Sequence, residues 1–266
     1  MSEASAPTIL AADSGLGGLT IVAEIRKALP QARLAYLCDN AFFPYGTRPD
    51  AELLGHFLGV MKQAIRRVQP DLIVTACNTI STICLPQLRA ATRIPVVGVV
   101  PAIKPAAQQS RRKIIGLLAT PATIDRPYTD DLIQRYAADC TVLKIGSADL
   151  VEIAEAKLLG RAVDREKLHR ILSPFFERPA DSQPDVVALA CTHFPLLREE
   201  LQAVGPTDVA WIDSGTAVAR RVVEVLPAMR NSGNGPSLAL TSAYADAALR
   251  HALSQSGFAT VEMLGA

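Results

Sequence analysis

The chain has 266 residues, 49% of them hydrophobic, with 27 basic against 26 acidic side chains. That length suits one large domain or two of about 100–150 residues each, and the even charge argues against nucleic acid, whose protein partners carry strongly basic surfaces. No apolar run reaches the roughly 18 residues of a membrane span, the first residues lack the basic and apolar segments of a secretory signal, and five scattered cysteines read as reduced cytosolic thiols. The expected setting is therefore cytoplasmic, with no membrane partner.

Met1 to Pro7 reads as a loose lead-in and Thr8 to Ala12 as the first strand. Asp13-Ser14-Gly15-Leu16-Gly17-Gly18 breaks the pattern before a helix over Leu19–Ala28. A glycine-rich turn that opens a helix can cradle an anion, because unpaired N–H groups and the helix dipole point at the guest. The spacing is not that of a dinucleotide fingerprint, so a carboxylate is as good a guest as a phosphate, and a plain tight turn remains the other reading. Leu34 to Cys38 is the second strand. The loop Asp39 to Arg48 concentrates three aromatics in a chain that is only 5% aromatic. A helix over Ala51–Val68 and a strand over Leu72–Thr75 come next, delivering Cys77.

The pattern then alternates. Helices are expected over Ser81–Ala91, Ile103–Ser110, Tyr128–Ala138, Leu150–Leu159, Arg165–Phe176, Pro195–Ala203, Ala217–Val225 and Ala243–Ser254. Strands are expected over Val96–Val100, Lys113–Ala119, Thr141–Ile145, Val186–Leu189, Val209–Ile212, Leu238–Thr241 and Thr260–Met263. Thr120 to Thr123 reads as a small-residue turn, Pro179 to Pro184 as a polar connector and Asn231 to Pro236 as a flexible turn. Such alternation means α/β with mostly parallel sheets. There are too many strands for one small doubly wound sheet, so two similar doubly wound domains are expected. The first takes residues 1–101 and 214–266 and carries Asp13 and Cys77; the second takes 102–213 and carries Cys191 and His193. The expected active site is the cleft between them.

Two stretches match. Ala76-Cys77-Asn78-Thr79 and Ala190-Cys191-Thr192-His193 each come after an apolar strand and precede a helix-compatible segment. In open α/β sheets the C-terminal ends of strands are where ligands bind, and a thiol near a helix N-terminus has a lowered pKa. Taken singly, each cysteine reads as a small inert core residue. Their pairing, and His193 two residues after one of them, points instead to proton transfer on opposite sides of one substrate. A Cys191–His193 hydrolase is a second reading, though it leaves Cys77 without a task. A zinc site from Cys77, Cys191 and His193 lacks any C-x-x-C knuckle, so no metal is expected.

Asp13-Ser14-Gly15-x-Gly17-Gly18, Pro44-Tyr45-Gly46, Ala76-Cys77-Asn78-Thr79 and Ala190-Cys191-Thr192-His193-Phe194-Pro195-Leu196-Leu197 together resemble the signature blocks of glutamate racemases, in family order across nearly the whole chain. Ala12, Ile80 and Phe194 differ from the residues usual in that family. The resemblance implies cofactor-independent interconversion of L- and D-glutamate by two bases, supplying D-glutamate for peptidoglycan, in a protein that self-associates as a homodimer. It implies that Asp13 assists Cys77 and His193 assists Cys191, with Cys191 deprotonating L-glutamate and Cys77 deprotonating D-glutamate. Ser14, Tyr45, Gly46, Asn78, Thr79, Thr120 and Thr192 would hold the substrate, and Glu155 falls where the family often has a further glutamate. The non-catalytic alternative is a carboxylate-binding regulator that keeps this fold.

Overall fold

The computed structural model describes residues 6–226 and 237–265. The expected turn Asn231–Pro236 and most of the expected lead-in lie outside them. In chain order the first elements are β1 (Thr8–Asp13), α1 (Leu19–Ala28), β2 (Arg33–Cys38), α2 (Asp50–Val68), β3 (Leu72–Thr75), α3 (Asn78–Ala91) and β4 (Val96–Gly98). Next come α4 (Ile103–Gln109), β5 (Ile114–Ala119), α5 (Pro121–Ile124), α6 (Pro127–Tyr136), β6 (Thr141–Gly146), α7 (Asp149–Leu158) and α8 (Arg165–Phe176). The remainder are β7 (Val186–Leu189), α9 (Arg198–Val204), β8 (Ala210–Ile212), α10 (Gly215–Val225), β9 (Leu238–Thr241), α11 (Ala247–Gln255) and β10 (Thr260–Met263).

The chain divides into two compact units, one running to Val99 and resuming at Gly215, the other spanning Val100–Ser214. In the first, six strands form a sheet in the order β10-β9-β2-β1-β3-β4, every pairing parallel. Parallel central strands are covered on both faces, so they need continuous apolar runs. TILAAD in β1 and LIVT in β3 are buried at every position. The long helix α2 covers one face with Leu53, Phe57, Met61 and Ala64, packed in one cluster with Leu10, Leu37 and Ile73. Its ends suit the helix dipole, with Asp50 and Glu52 in the first turn and Arg66 and Arg67 in the last.

In the second unit four parallel strands run in the order β6-β5-β7-β8. Ile115, Leu117, Val186 and Ala188 form its core with Ile103 and Ala106 of α4. In both units an inner strand carries a thiol just past its C-terminal end and lies beside the strand that leads to a second site residue. Ala12 of β1 is level with Thr75 of β3, and Leu118 of β5 with Leu189 of β7.

Three segments depart from expectation. The helix expected over Pro195–Ala203 begins as a 3-10 turn at Phe194–Leu197, and α9 starts only at Arg198. The helix expected from Ala243 starts at Ala247, where the Asp246 carboxylate accepts from the Leu249 N–H at 2.8 Å. Before it, Asn40 bonds the backbone of Ala243 and Tyr244, an alternative partner that holds the segment as a loop. In Thr120 to Thr123, read as a turn, Thr120 is the N-cap of the short helix α5, entered through Pro121 at a first-turn position where its missing N–H costs nothing.

Candidate active site

Asp13 ends β1 and is fully buried. Its carboxylate accepts the Ser14 N–H at 2.6 Å and faces the Ser14 hydroxyl at 3.4 Å. The glycine run after it serves close packing. A methyl on Gly18 would stand 2.8 Å from Asp13 Cβ, 2.9 Å from Tyr36 Oη and 3.0 Å from Ala76 Cβ. Only a residue without Cβ lets α1 start this close behind Asp13 and the residue that precedes Cys77. Tyr36 donates to the Gly15 carbonyl at 2.5 Å and pins the turn from the neighbouring strand. The N–H groups of Leu19, Thr20, Ile21 and Val22 are taken up by the carbonyls of Leu16, Gly17 and Gly18.

Cys77 lies two residues past β3 and occupies the N-cap position of α3, with extended backbone at φ −139°. It is 7% exposed. Its thiol therefore sits at the positive end of a 14-residue helix, a setting that favours thiolate. Asn78 and Thr79 form the first turn and are buried. The Asn78 side-chain oxygen is buried and has no protein partner. Buried acceptors are nearly always satisfied, so this oxygen is suited to an N–H donor supplied by a ligand, such as an ammonium group.

Tyr45 reaches this region from the loop after β2. Its ring packs edge-on against Phe57 of α2, with centroids 6.0 Å apart, in the same apolar cluster as Cys77 and Ile80. Its hydroxyl donates to Asp39 Oδ2 at 2.6 Å, so it is held by protein. Burial, then the Asp39 charge and hydrogen bond, hold the phenol well above its ordinary 10.0, and the charges of Cys77 and Asp13 push the same way. Tyr45 is thus a fixed neutral donor, and Gly46 sits next to it in the 3-10 turn Tyr45–Thr47.

In the second unit Cys191 lies just past β7 and is also 7% exposed. It opens a turn, not a long helix: the Phe194 N–H bonds the Cys191 carbonyl at 3.1 Å. The polarising group here is His193. Its Nδ1 stands 3.9 Å from Cys191 Sγ, and its Nε2 stands 2.7 Å from Glu155 Oε1 on α7. Burial alone would lower the imidazole pKa. The hydrogen bonds to Cys191 and Glu155, with the charges behind them, outweigh it and hold His193 well above its ordinary 6.5. A carboxylate only accepts, so Nε2 carries a hydrogen toward Glu155. Thr192 is buried beside the thiol, and Thr120 directly succeeds the adjacent β5, with its hydroxyl 3.0 Å from that of Thr123.

The first unit thus gathers Asp13, Ser14, Tyr45, Gly46, Cys77, Asn78 and Thr79, and the second gathers Thr120, Glu155, Cys191, Thr192 and His193. All five cysteines are unbridged. Among the described residues, no group of three or more His, Cys, Asp or Glu side chains is placed to hold a metal ion, and no helix is long and apolar enough to cross a membrane.

A family model described as Asp/Glu/hydantoin racemase matches residues 19–222. A glutamate racemase of Sodalis glossinidius is 44% identical over 99% of this chain and 92% of its own length. The chain belongs to the glutamate racemases of that family. A glutamate racemase of Shewanella loihica is 50% identical over 87% of this chain and 86% of its own. The crystal structure of Escherichia coli glutamate racemase in complex with L-glutamate and the activator UDP-MurNAc-Ala matches with a TM-score of 0.94 and 43% identity, covering 97% of this chain and 98% of that one. The chain is accordingly a racemase, an enzyme of the isomerase class.

Sequence reading of this racemase missed Asp39, which holds Tyr45, and His56, which holds Asp39. It also missed Lys157, which donates to the Leu196 carbonyl and to Glu200 Oε2, each at 2.8 Å, and so ties α7 to the turn after His193. One signal was available: Asp39 directly succeeds β2 much as Asp13 ends β1, and Asp13 is level with Cys38, one residue away.

Proposed function

We propose that this racemase interconverts L- and D-glutamate by 1,1-proton transfer between two thiols, using neither pyridoxal nor a metal ion. The observation that carries the reading is that the two strand-end thiols sit in different polarising settings. Cys77 occupies the N-cap position of a long helix, whereas Cys191 faces a histidine whose far nitrogen pairs with Glu155. Two such groups, one as thiolate and one as thiol, can remove the α-proton from one face and deliver a proton to the other. In this reading Cys191 deprotonates L-glutamate and Cys77 deprotonates D-glutamate, with His193 and Asp13 as their respective partners.

The α-proton of an amino acid is weakly acidic, so the carbanion needs fixed donors in a water-poor site. The buried amides and hydroxyls of Ser14, Thr79, Thr120 and Thr192, with Tyr45–Gly46, serve the carboxylates. The Asn78 oxygen serves the ammonium group. Glutamate brings net negative charge, which opposes thiolate formation; the α3 terminus and the His193 cation offset it. The E. coli relative, solved with L-glutamate, supports the substrate assignment. The role extends to supplying D-glutamate for peptidoglycan in the cytoplasm. Self-association as a homodimer rests on the family resemblance, and sedimentation of the purified protein tests it.

The test uses pyridoxal-free, reduced protein with L-glutamate in D2O, followed by circular dichroism and by NMR of the Cα proton. Optical signal is lost as deuterium enters Cα, and Cys77→Ser and Cys191→Ser each abolish that loss. Full racemisation by either variant refutes the two-thiol scheme, and retained rotation with retained Cα–H in the folded wild type refutes the substrate.

A further inference from the structure

Asp39 is a fully buried carboxylate at the end of β2, next to the loop that carries Tyr45 and Gly46. Its oxygens are held from two sides. Tyr45 donates to Oδ2 at 2.6 Å, and His56 Nε2 on α2 stands 2.8 Å from Oδ2 and 3.0 Å from Oδ1. Since an ionised carboxylate only accepts, that Nε2 bears a hydrogen. The His56 ring is fixed in turn. It stacks on Phe42 with centroids 3.5 Å apart and planes 6° from parallel, and the Arg48 guanidinium stands 5.0 Å from the centroid of the Phe42 ring. Phe42, Tyr45 and Arg48 all belong to the loop, so His56 touches it twice, directly through Phe42 and through Asp39 to Tyr45.

We propose that His56 is a positioning residue for the Cys77 site, acting through Asp39 and Tyr45. α2 grips the loop by two adjacent residues. Phe57 gives the Tyr45 ring an apolar wall, and His56 fixes the carboxylate that orients the Tyr45 hydroxyl. Tyr45 packs in one apolar cluster with Cys77 and Ile80. A loop released from His56 shifts Tyr45 and Gly46 against the thiol and the first turn of α3. Without His56, the buried Asp39 carboxylate keeps the Tyr45 donor but loses its second one, and an under-satisfied buried charge is strongly unfavourable. The site therefore relaxes at Asp39, and Tyr45 moves with it. This rests on the reading of Cys77 as a proton-transfer thiol and of Tyr45–Gly46 as substrate contacts.

Two substitutions at 56 separate the two contacts. His56→Phe keeps a ring on Phe42 and removes the donor to Asp39; His56→Gln restores a donor and removes the ring. The readouts are KM and kcat for glutamate, the alkylation rates of Cys77 and Cys191 by mass spectrometry, and the melting temperature. In His56→Phe, KM rises about tenfold, the scale of one lost hydrogen bond to a charged group, and more than kcat falls. The Cys77 alkylation rate changes while that of Cys191 does not. His56→Gln recovers most of the wild-type KM. Wild-type KM and Cys77 labelling in folded His56→Phe overturn the proposal, as does an equal change at both thiols, which marks general loosening. Asp39→Asn breaks the same chain at near-constant volume and must give the same pattern. If His56→Phe does not fold, wild-type behaviour of Asp39→Asn overturns the proposal. An active Cys77→Ser refutes the underlying reading, whereas a silent His56→Phe beside an inactive Cys77→Ser refutes only the role of His56.

Discussion

Glu155→Gln removes a charge and little else. The side chain keeps its length and can still accept from His193 Nε2, but the 2.7 Å contact is no longer charge-assisted. His193 is 3% exposed and the Glu155 side chain 14%, so water screens the pair weakly. A hydrogen bond to a charged group contributes about 1.5–3 kcal/mol. A neutral hydrogen bond keeps about 0.5–1.5 kcal/mol of that, so at about 1.4 kcal/mol per tenfold the ratio of protonated to neutral His193 falls by roughly 5- to 13-fold. Burial already opposes the cation, and one of the two supports that offset it is then weakened. With His193 less protonated, alkylation of Cys191 near neutral pH slows, by at most that factor, while Cys77 is unaffected. L- and D-glutamate have equal free energies, so kcat/KM must fall equally in both directions. The sign of the stability effect comes from the raised pKa in the folded state. The stabilisation is fully present below the ordinary value of 6.5 and is lost as pH rises through the raised value. In urea melts the wild type's margin over Glu155→Gln therefore shrinks with rising pH. Wild-type Cys191 labelling and kcat/KM in the variant refute the reasoning.

Gly18→Ala forces a methyl to within 2.8–3.0 Å of Asp13, Tyr36 and Ala76, none of which has room to yield. It costs about 1–3 kcal/mol of stability and lowers activity beyond that by displacing Asp13; an unchanged melting curve contradicts the packing argument. Cys84, inside the same cluster as Cys77, has its thiol pushed up to about 12 by burial. It stays unlabelled at pH 8 while Cys77 and Cys191 react, and Cys84→Ala keeps its turnover. Labelling of Cys84 at the Cys77 rate would show that burial does not separate the thiols.

The class of fold and the resemblance to glutamate racemases were legible in the sequence alone. Runs such as LIVT and VVAL are too uniformly apolar for a half-exposed strand, and their alternation with amphipathic helices admits parallel sheets covered on both faces. Cys77 and Cys191 were legible as strand-end thiols because each comes just after such a run. His193 was legible because it lies two residues from its thiol.

Tertiary structure decided how each thiol is polarised. The two motifs look alike in sequence, yet one opens a 14-residue helix and the other a 3-10 turn. Helix length after a thiol depends on what the segment packs against, which local sequence does not state. Glu155 lies 38 residues from His193, and His56 lies 17 from Asp39. Such pairs form because two elements meet, and nothing in either segment alone marks them. The glycine run shows the same division. Its need for glycine was plain from the sequence, but the reason came from the neighbours of Gly18. The space there is closed by Asp13, Tyr36 and Ala76, which lie on or just past three strands that only the folded sheet sets side by side.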